Sequence, residues 1–295
     1  MLPPLAAALL VRCRFPPAGV EVTAAVSGGA DSLALLVLAR AAGLDVTAVH
    51  VDHGLRPDGA IEADVVAAAA ERLGAAFLAR TVAVEPGPNL EARARTARYG
   101  VLPAGVMTGH TADDQAETVL LNVLRGAGLD GLRGMEDSPR VRRPLLGLRR
   151  AETSALCAAT GLVPVEDPSN DDPSFRRNQV RHRLLPLIAE ISARDPVPIL
   201  VRQGVLLADD ARLLDELASA LDPGDARVLA AAPAPLARRA VRAWLRVGGD
   251  DESHPPSAAE VARVLGVAAG DAVACEVSGG RRVRRSGGRM LIEQK

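Results

Sequence analysis

The sequence predicts an α/β fold in which a parallel-sheet nucleotide-binding domain is followed by a smaller α+β domain. Short apolar segments alternate with helical patterns of about 10 to 15 residues through the first two thirds of the chain, which is typical of βαβ units. A pair of glycines joins the first of these strands to a helix. Near the carboxyl terminus the hydrophobic period changes to alternation, which indicates a small antiparallel sheet.

The first predicted elements surround the glycine pair. Residues 4–14 have a short helical pattern that a proline pair ends, and residues 21–26 form an apolar strand that stops at the glycines. Residues 33–42 are rich in alanine and leucine, which favour a helix. Residues 45–51 are almost continuously apolar and β-branched, as expected of a strand that is buried on both faces.

A second series of elements continues the alternation. Helical periodicity covers residues 61–73, and residues 75–84 follow as a third strand. An arginine-rich helix over residues 89–99 leads to a short fourth strand at residues 106–109, and residues 111–124 form the next helix. Parallel sheets bind ligands beyond the carboxyl ends of their strands, so the polar segments that follow the strands should share one crevice.

The segments after this series are less regular. Residues 126–144 are expected to hold little secondary structure, and residues 152–160 form a helix that Gly161 ends. The polar segment at residues 165–186 leads into an arginine-dense helix start. Its composition fits either a solvated surface loop or a basic saddle for phosphates.

The carboxyl-terminal domain is predicted to combine helices with a β meander. Helical periodicity covers residues 199–221, 234–247 and 257–265. Apolar residues alternate within residues 273–294, and two glycine pairs supply the turns of the meander. The meander is expected to carry a basic face formed by Arg281, Arg282, Arg284, Arg285 and Arg289.

Composition and charge limit the class of protein. The chain has 295 residues, of which 48% are hydrophobic and 2% aromatic, so leucine, valine and alanine must fill the core. This length accommodates one large domain or two ordinary ones. We expect two, at residues 1–194 and 195–295, because prolines mark the junction. The formal net charge of −1 argues against a uniformly basic nucleic-acid binder but is compatible with a local basic patch.

Cysteine usage and hydropathy indicate the compartment. Cys13, Cys157 and Cys275 are odd in number and far apart, so they predict neither a disulfide framework nor a zinc site. No apolar run reaches the ~18 residues of a membrane span. The amino-terminal segment has its positive residues after the apolar run, unlike a signal peptide. We therefore expect a cytoplasmic protein without membrane association.

The glycine pair lies in a predicted phosphate-binding turn. Glycine lets backbone N–H groups approach a ligand, and the following helix adds the unpaired N–H groups and positive dipole of its first turn. The turn lacks the lysine of a GxxxxGKS/T loop, which suits transfer of AMP with departure of pyrophosphate. A bare carboxylate would repel phosphates, so we expect Asp31 to act through a bridging Mg²⁺. A plain strand-to-helix turn is the alternative interpretation.

A second polar segment carries one histidine and two acids at helical spacing. His110, Asp114 and Glu117 stand at i, i+4 and i+7, which predicts one helical face near the start of the helix. The acids suit either Mg²⁺ or an amine nucleophile, and His110 suits a phosphate. Thr111 with Asp114 also fits a capping box, which is a structural role.

A third polar segment contains His50, Asp52 and His53. Two histidines and one carboxylate at a strand end indicate a metal site only weakly, because no further spaced histidine or cysteine accompanies them. Contact with a nucleotide, or simple loop structure, is the favoured interpretation.

Together these segments resemble a known enzyme family. Residues 27–32 resemble the SGGxDS loop of the N-type ATP pyrophosphatases, the PP-loop superfamily. Further segments resemble tRNA(Ile)-lysidine synthetase in the same order: HVDHGLR at 50–56, ARTARY at 94–99, TGHTADDQAE at 108–117, RPLL at 143–146, EDPSN at 166–170, RN at 177–178 and VR at 180–181. The resemblance covers residues 22–186, whereas residues 199–295 match only loosely.

The resemblance implies a reaction and its participants. Enzymes of this family use ATP to adenylate the C2 oxygen of the wobble cytidine in an isoleucine tRNA with anticodon CAU. Free L-lysine then displaces AMP and gives lysidine. The implied cofactors are ATP and Mg²⁺, and the implied partners are tRNA(Ile) and L-lysine. A homodimer is compatible with the sequence, which does not define the oligomeric state.

The resemblance also implies roles for individual residues. The ATP-binding residues would be Ser27, Gly28, Gly29, Ala30, Asp31, Ser32, His50, Asp52 and His53. The catalytic residues would be Asp31, Arg95, His110, Asp114 and Glu117, with Asp31 on Mg²⁺ through ATP. The residues at the RNA-binding rim would be Arg177, Asn178 and Arg181. In this scheme the acids recognise the amines of lysine, and Arg95 stabilises charge at the α-phosphate or the activated cytidine.

Two other functions are open to this sequence. A tRNA thiolase of the same fold also adenylates a base carbonyl, but it needs cysteines as sulfur carriers or cluster ligands, and the cysteines here lie outside the matched segments. A non-catalytic nucleotide- or RNA-binding module would not need four residues around the loop, namely His110, Asp114, Glu117 and Arg95. Formation of AMP and pyrophosphate separates an enzyme from such a module.

Overall fold

The computed structural model describes residues 4–52, 54, 59–83, 87, 90–166, 171–247 and 256–294. The chain divides into two compact units, Met1–Val205 and Leu206–Lys295. This division falls within a long helix that begins at Pro196. The domain limits expected from the sequence, 1–194 and 195–295, stay a prediction. No helix in the described ranges is long and apolar enough to cross a membrane.

A five-stranded parallel sheet forms the centre of the first unit, as the alternating pattern predicts. Its strands are β1 (Glu21–Ala25), β2 (Asp45–Asp52), β3 (Ala76–Thr81), β4 (Val106–Thr108) and β5 (Val141–Arg142). Their order across the sheet is β3-β2-β1-β4-β5. The register sets Val22 opposite Val46 and Ala24 opposite Met107.

Helices accompany this sheet, and the last of them continues past residue 205. They are α1 (Pro4–Leu10), α2 (Ala30–Ala41), α3 (Gly59–Leu73), α4 (Leu90–Val101), α5 (Ala112–Leu124), α6 (Leu129–Leu132), α7 (Arg150–Thr160), α8 (Arg176–Gln179), α9 (Leu185–Ser192) and α10 (Pro196–Ser219). The largest apolar cluster joins α1, α2, α3 and α7 to one face. A smaller cluster packs Tyr99 and Leu102 against Val49, Val106 and Val141 on the other face.

The central helix of the first unit is α2. Every residue from 33 to 39 is fully buried. A helix that is apolar all round must lie in the core, because no face of it is suited to water. Its first turn is therefore held rigidly at the edge of the sheet where β1 ends.

The sheet has a topological switch point between β1 and β4. The chain passes from β1 to β2 and β3 on one side, then crosses to β4 and β5 on the other. The turns that follow β1 and β4 consequently leave the sheet side by side, which is where parallel sheets bind ligands. Gly109, in the turn after β4, approaches α2 so closely that an added Cβ would lie 2.6 Å from the carbonyl oxygen of Asp31.

Two irregular parts of the first unit agree with the sequence-based expectation. Residues 126–144 hold little secondary structure, namely the four-residue α6 and the two-residue β5. With only two residues, β5 has no periodicity to detect, and it is defined by its pairing with β4. The polar segment before residue 186 ends in a continuous helical run, in which α8 passes through a π-helical turn (Val180–Leu184) into α9.

The second unit combines three further helices with an antiparallel meander, as predicted. Its elements are α11 (Ala226–Ala231), α12 (Ala234–Arg246), α13 (Ala258–Ala269), β6 (Ala274–Val277), β7 (Arg281–Ser286) and β8 (Arg289–Gln294). The strands pair in the order β6-β7-β8. Glycines 279, 280, 287 and 288 all have positive φ and form the turns between them. An apolar core including Val264, Val283 and Met290 joins the helices to this sheet.

Most arginines of the expected basic face of the meander bond to groups within the second unit. Arg281 is only 9% exposed and donates to the carbonyl of Leu245 at 2.8 Å, at the end of α12. Arg285 donates to the carbonyl of Ala268 at 2.8 Å, at the end of α13. Both arginines therefore satisfy carbonyls that a helix end leaves unpaired.

Two of the remaining meander arginines form ion pairs. Arg284 contacts Glu293 at 2.6 Å, and Arg289 contacts Asp222 at 2.7 Å. Arg282 is exposed and forms no ion pair with a described carboxylate. The alternating pattern predicted the strand correctly, but it could not reveal that most of its arginines have internal partners.

Candidate active site

The turn after β1 is held closed by its own hydroxyl groups. The Ser32 hydroxyl accepts from the backbone N–H of Ser27 at 3.1 Å and donates to the carbonyl of Gly29 at 2.8 Å. Gly29 is the N-cap of α2, and its extended backbone begins the helix at Ala30. The first turn of a helix leaves N–H groups without intrahelical partners, so the turn presents donors at the positive end of the α2 dipole.

Gly28 occupies a position that requires glycine. Its φ is 90°, a left-handed conformation that costs a residue with Cβ energy. An added Cβ would also come within 3.3 Å of Val165 Cγ2. The N–H of Val165 donates to the Gly28 carbonyl at 3.0 Å, which ties the turn to the segment after α7.

Asp31 lies in the first turn of α2 and faces α7. One carboxylate oxygen, Oδ1, accepts a hydrogen bond from the Thr153 hydroxyl. The other, Oδ2, lies 3.5 Å from Nε of Arg150. Burial raises the pKa of Asp31 to about 6, while these two partners act in the opposite direction. The carboxylate is thus partly desolvated and is held at both oxygens.

The turn after β4 carries His110 and leads into α5. The helix begins at Ala112, with Thr111 as its N-cap, so the prediction that His110 shares a helical face with the acids is wrong. A capping box sets this start. Asp114 Oδ2 accepts from the backbone N–H of Thr111 at 2.7 Å, so the helix begins after Thr111 and His110 lies outside it. Asp114 and Glu117 do lie in α5, both buried.

The two acids of α5 are surrounded by three arginines. Glu117 has no exposed side-chain surface and contacts Arg177 at 2.7 Å, Arg181 at 2.7 Å and Arg150 at 3.2 Å. Asp114 Oδ1 contacts Arg150 and Arg177, each at 2.9 Å. Such a buried carboxylate is stable only because its partners offset the desolvation.

Charges balance within this cluster. Three carboxylates, Asp31, Asp114 and Glu117, meet the three guanidinium groups. Arg150 contacts all three acids and joins the turn after β1 to α5. The switch point therefore holds one continuous ionic network.

Arg150 and Thr153 are functional candidates that sequence reasoning missed. Both lie on α7, near its start, about 120 residues from Asp31 in the chain. The signal available in the sequence was the position of Arg150, four residues after the end of the matched RPLL segment. No local pattern indicates that Thr153 contacts an acid on another helix.

Arg177 and Arg181 turn inward in this structure. The sequence predicts both for an RNA-binding rim, together with Asn178. Asn178 is buried and donates to the carbonyl of Asp172 at 2.9 Å, inside its own loop. An RNA-binding role for the three residues stays a prediction.

His110 is in a strongly desolvated setting. Its Nδ1 lies 2.7 Å from the hydroxyl of Thr108, at the end of β4. Burial lowers the pKa of His110 to about 3; the Asp114 charge opposes this effect, and Arg143 and Arg95 add to it. The imidazole is therefore neutral near pH 7 and sits among cations that would attract an anionic ligand.

Arg95 belongs to a small group of cations beside His110. Its guanidinium carbon lies 5.3 Å from the centre of the Tyr99 ring, and that of Arg98 lies 5.2 Å from it. Burial lowers the pKa of Arg143, whose Nε is buried without a hydrogen-bond partner in the described structure. Arg95 and Arg143, whose charges act on His110 in the turn after β4, suit a phosphate.

The third polar segment is only partly described. His50 is 1% exposed, with Nδ1 3.1 Å from the carbonyl of Val26 and Nε2 without a partner in the described structure. Asp52 accepts from the N–H of Gly54 at 2.8 Å, which is a loop-forming role. His53 lies outside the described residues. Within these ranges, no group of three His, Cys, Asp or Glu side chains forms a metal site.

The fold and the site define a nucleotide-binding protein of the PP-loop type. The PP-loop domain family matches residues 13–188, and the TilS substrate binding domain family matches residues 225–291. The tRNA(Ile)-lysidine synthase of Nocardia farcinica is 46% identical over 250 residues, which cover 80% of this chain and 78% of the relative. That of Rhodococcus erythropolis is 45% identical over 244 residues, covering 78% and 75%. The chain belongs to the tRNA(Ile)-lysidine synthase family.

A solved structure shows the same fold. The U34-tRNA thiolase NcsA from Methanococcus maripaludis superimposes with a TM-score of 0.56, covering 69% of this chain and 78% of that chain. At 16% sequence identity, this similarity concerns the fold alone.

Proposed function

We propose that this protein ligates free L-lysine to C2 of the wobble cytidine in tRNA(Ile) with anticodon CAU, with release of AMP and pyrophosphate. The observation that carries this proposal is the meeting of two sites at one switch point. A turn suited to phosphates follows β1, a pair of acids suited to an amine lies in α5, and Arg150 contacts both. Family membership supports the same reaction.

ATP fits the turn after β1. Gly28 and Gly109 let the turns after β1 and β4 pack closely against neighbouring protein atoms, and the first turn of α2 supplies N–H donors that suit phosphates. Asp31 is the carboxylate next to these donors and would hold Mg²⁺, whose remaining ligands would be phosphate and water oxygens. Bound Mg²⁺ offsets charge on the phosphates. His50, with its unpartnered Nε2, would contact the nucleotide from the end of β2.

The reaction proceeds in two balanced displacements. The C2 oxygen of cytidine attacks the α-phosphorus of ATP, the α–β phosphoanhydride bond breaks, and pyrophosphate leaves. An amine of lysine then attacks C2, the C2–O bond breaks, and AMP leaves with that oxygen while the amine loses a proton. Arg95, Arg143 and neutral His110, which influence one another electrostatically, would stabilise the negative charge that builds up on the α-phosphate.

Asp114 and Glu117 would recognise the lysine, but their arginines must rearrange. In the described state the acids are already neutralised by Arg150, Arg177 and Arg181. An added ammonium group would bring unbalanced positive charge into a buried cluster, which is costly. We therefore expect an arginine of α8 or the π-helical turn to leave the acids for phosphate when lysine enters.

The second unit would supply part of the tRNA contact. The TilS substrate binding domain match lies there, and Arg282 is an exposed cation without a described carboxylate partner. Phosphate contacts from exposed arginines give affinity that falls with salt. Homodimer formation and a cytoplasmic location stay predictions of the sequence.

A tRNA thiolase is the weaker candidate. Cys13 and Cys157 are free thiols whose burial raises the pKa of each to about 11, which disfavours the thiolate that sulfur transfer needs. Cys157 also donates to the carbonyl of Ala30 at 3.3 Å, a packing role behind α2. These properties favour an amine as the second nucleophile.

Labelled lysine tests the proposal directly. The purified protein is incubated with ATP, Mg²⁺, labelled lysine and an isoleucine tRNA transcript that carries C at the wobble position. A matched transcript with U at that position is the control. Lysine fixed only on the C-bearing transcript, with AMP released, is the expected result. AMP without lysine fixation would point to another nucleophile, and no AMP at all would favour a binding module.

A further inference from the structure

Thr153 connects α7 to the turn that binds phosphate. It is fully buried, and its hydroxyl donates to Oδ1 of Asp31 on α2. The same hydroxyl lies 2.8 Å from the carbonyl oxygen of Arg150, one turn earlier in α7. A hydroxyl has one proton, so it donates to the ionised carboxylate, which is the stronger acceptor.

The second contact limits the rotamer of Thr153. Threonine in a helix is β-branched and occupies few χ1 rotamers, one of which brings Oγ1 close to the preceding turn. In that rotamer the hydroxyl faces Asp31 instead of solvent, as its complete burial shows. The donor is therefore fixed before any ligand arrives.

Asp31 is held from α7 at both oxygens. Arg150 approaches Oδ2, and Thr153 donates to Oδ1. Cys157, on the same face of α7, donates to the carbonyl of Ala30. The first turn of α2 thus rests on three side chains of one helix face, at positions i, i+3 and i+7.

We propose that Thr153 is a positioning residue for Asp31, because its hydroxyl fixes the carboxylate rotamer that presents the free lone pairs of Asp31 to the cation of Mg-ATP. This inference rests on the proposed function, in which Asp31 holds Mg²⁺. Arg150 alone could not fix the rotamer, since it is shared among three carboxylates. Among the described residues, Asp31 is the one acid that the Thr153 hydroxyl contacts.

The test compares Thr153→Val, which removes the hydroxyl at constant shape, with Thr153→Ser, which keeps it. The readout is binding of α,β-methylene-ATP, which cannot be cleaved, measured calorimetrically in the full-length protein at increasing Mg²⁺. Thr160→Val is the matched control, because the Thr160 hydroxyl, also on α7, has its hydrogen bonds within the described ranges to the carbonyls of Leu156 and Cys157 and to no acid.

We expect Thr153→Val to need about tenfold more Mg²⁺ for half-maximal binding, in line with loss of one hydrogen bond to a charged group. Binding without Mg²⁺ should be unchanged, and Thr153→Ser should stay within about twofold of wild type. If Thr153→Val does not fold, Thr153→Ala carries the same expectation. A wild-type Mg²⁺ requirement in the variant lacking the hydroxyl would overturn the proposal, as would an equal defect in Thr153→Ser.

A parallel assay separates this inference from the proposed function. Wild-type protein that binds the analogue with Mg²⁺ but forms no AMP with tRNA and lysine would refute the reaction and leave the Thr153 comparison readable. Wild-type turnover together with an unaltered Mg²⁺ requirement in Thr153→Val would refute only the positioning role.

Discussion

Arg177 and Glu117 form an ion pair in which Nε lies 2.7 Å from Oε2, on a carboxylate that has no exposed surface. Glu117 also contacts Arg150 and Arg181. If this buried carboxylate were removed, the positive charges of its three arginine partners would lose their compensation. This pair therefore supports the first unit as well as lining the proposed lysine site.

Replacing Glu117 by glutamine should destabilise the first unit. We expect the free energy of unfolding of the first unit to fall by about 3 to 5 kcal/mol, because three guanidinium groups lose their buried counter-ion. Amide hydrogen exchange of α2 and α5 measures it. Asp45→Asn is the control, since Asp45 is 71% exposed in its pair with Arg40 and should cost less than about 1 kcal/mol. Equal effects from both variants would contradict this prediction.

Replacing Asp31 by alanine should abolish AMP formation. Without the carboxylate, Mg²⁺ loses its expected protein ligand next to the phosphates. Binding of tRNA should be nearly unchanged, because it depends on other surfaces. Thin-layer separation of labelled AMP, together with filter binding of tRNA, measures the two properties. Retained turnover would remove Asp31 from the mechanism.

His110 should not titrate near neutral pH in the free protein. Burial lowers the pKa of His110 to about 3. Between pH 6.5 and pH 3 the imidazole is therefore neutral in the folded protein, whereas in the unfolded chain, with its ordinary pKa of 6.5, it binds a proton. The residue therefore costs stability as pH falls from 6.5 towards 3, and has no effect above that window. Imidazole NMR signals, assigned with His110→Gln, test this point. Pyrophosphate should raise the pKa, and a signal that titrates at 6.5 would contradict the expectation.

Glu260 should stabilise the second unit in a pH-dependent way. Hydrogen bonds from Ser278, and then from Ser257, lower the pKa of Glu260 to about 2 from its ordinary 4.5. The contribution is complete above pH 4.5 and is lost as pH falls towards 2. The only tryptophan, Trp244, packs against the core of this unit and reports its unfolding.

Urea unfolding followed by Trp244 fluorescence tests the role of Glu260. Wild type should be more stable than Glu260→Gln at neutral pH, and the two should converge in acid. A difference that does not change with pH would mean that packing, and not the carboxylate charge, makes the contribution.

Arg281 and Arg282 are neighbours in the chain, but their replacement should affect different properties: stability for Arg281 and tRNA affinity for Arg282. Arg281→Gln removes a buried donor to the Leu245 carbonyl and should destabilise the second unit by about 1 to 3 kcal/mol. Arg282→Gln, at an exposed position, should change stability by less than about 0.5 kcal/mol. It should instead reduce the slope of tRNA affinity against salt by about one. An unchanged slope would make Arg282 an ordinary surface residue.

Local patterns predicted most of the scaffold. Apolar strands, helical periodicity and glycine turns define their elements through neighbours in the chain, so the parallel sheet and the meander were predicted. The turn at Gly28 and the acids of α5 were also identified, because their spacing is short. The two-residue strand β5 was not predicted, since it is too short to show a pattern and is defined by its hydrogen bonds to β4.

The sequence by itself determined the fold class, the glycine turn after β1 and the acidic residues of α5, because each depends on a run of adjacent side chains. Only the tertiary structure decided how they are partnered. Thr153 reaches Asp31 across 122 residues, and Arg177 reaches Glu117 across 60. Hydrogen bonds and ion pairs depend on distances of about 3 Å in space. Chain spacing does not encode such distances, so these partners emerge when the helices pack.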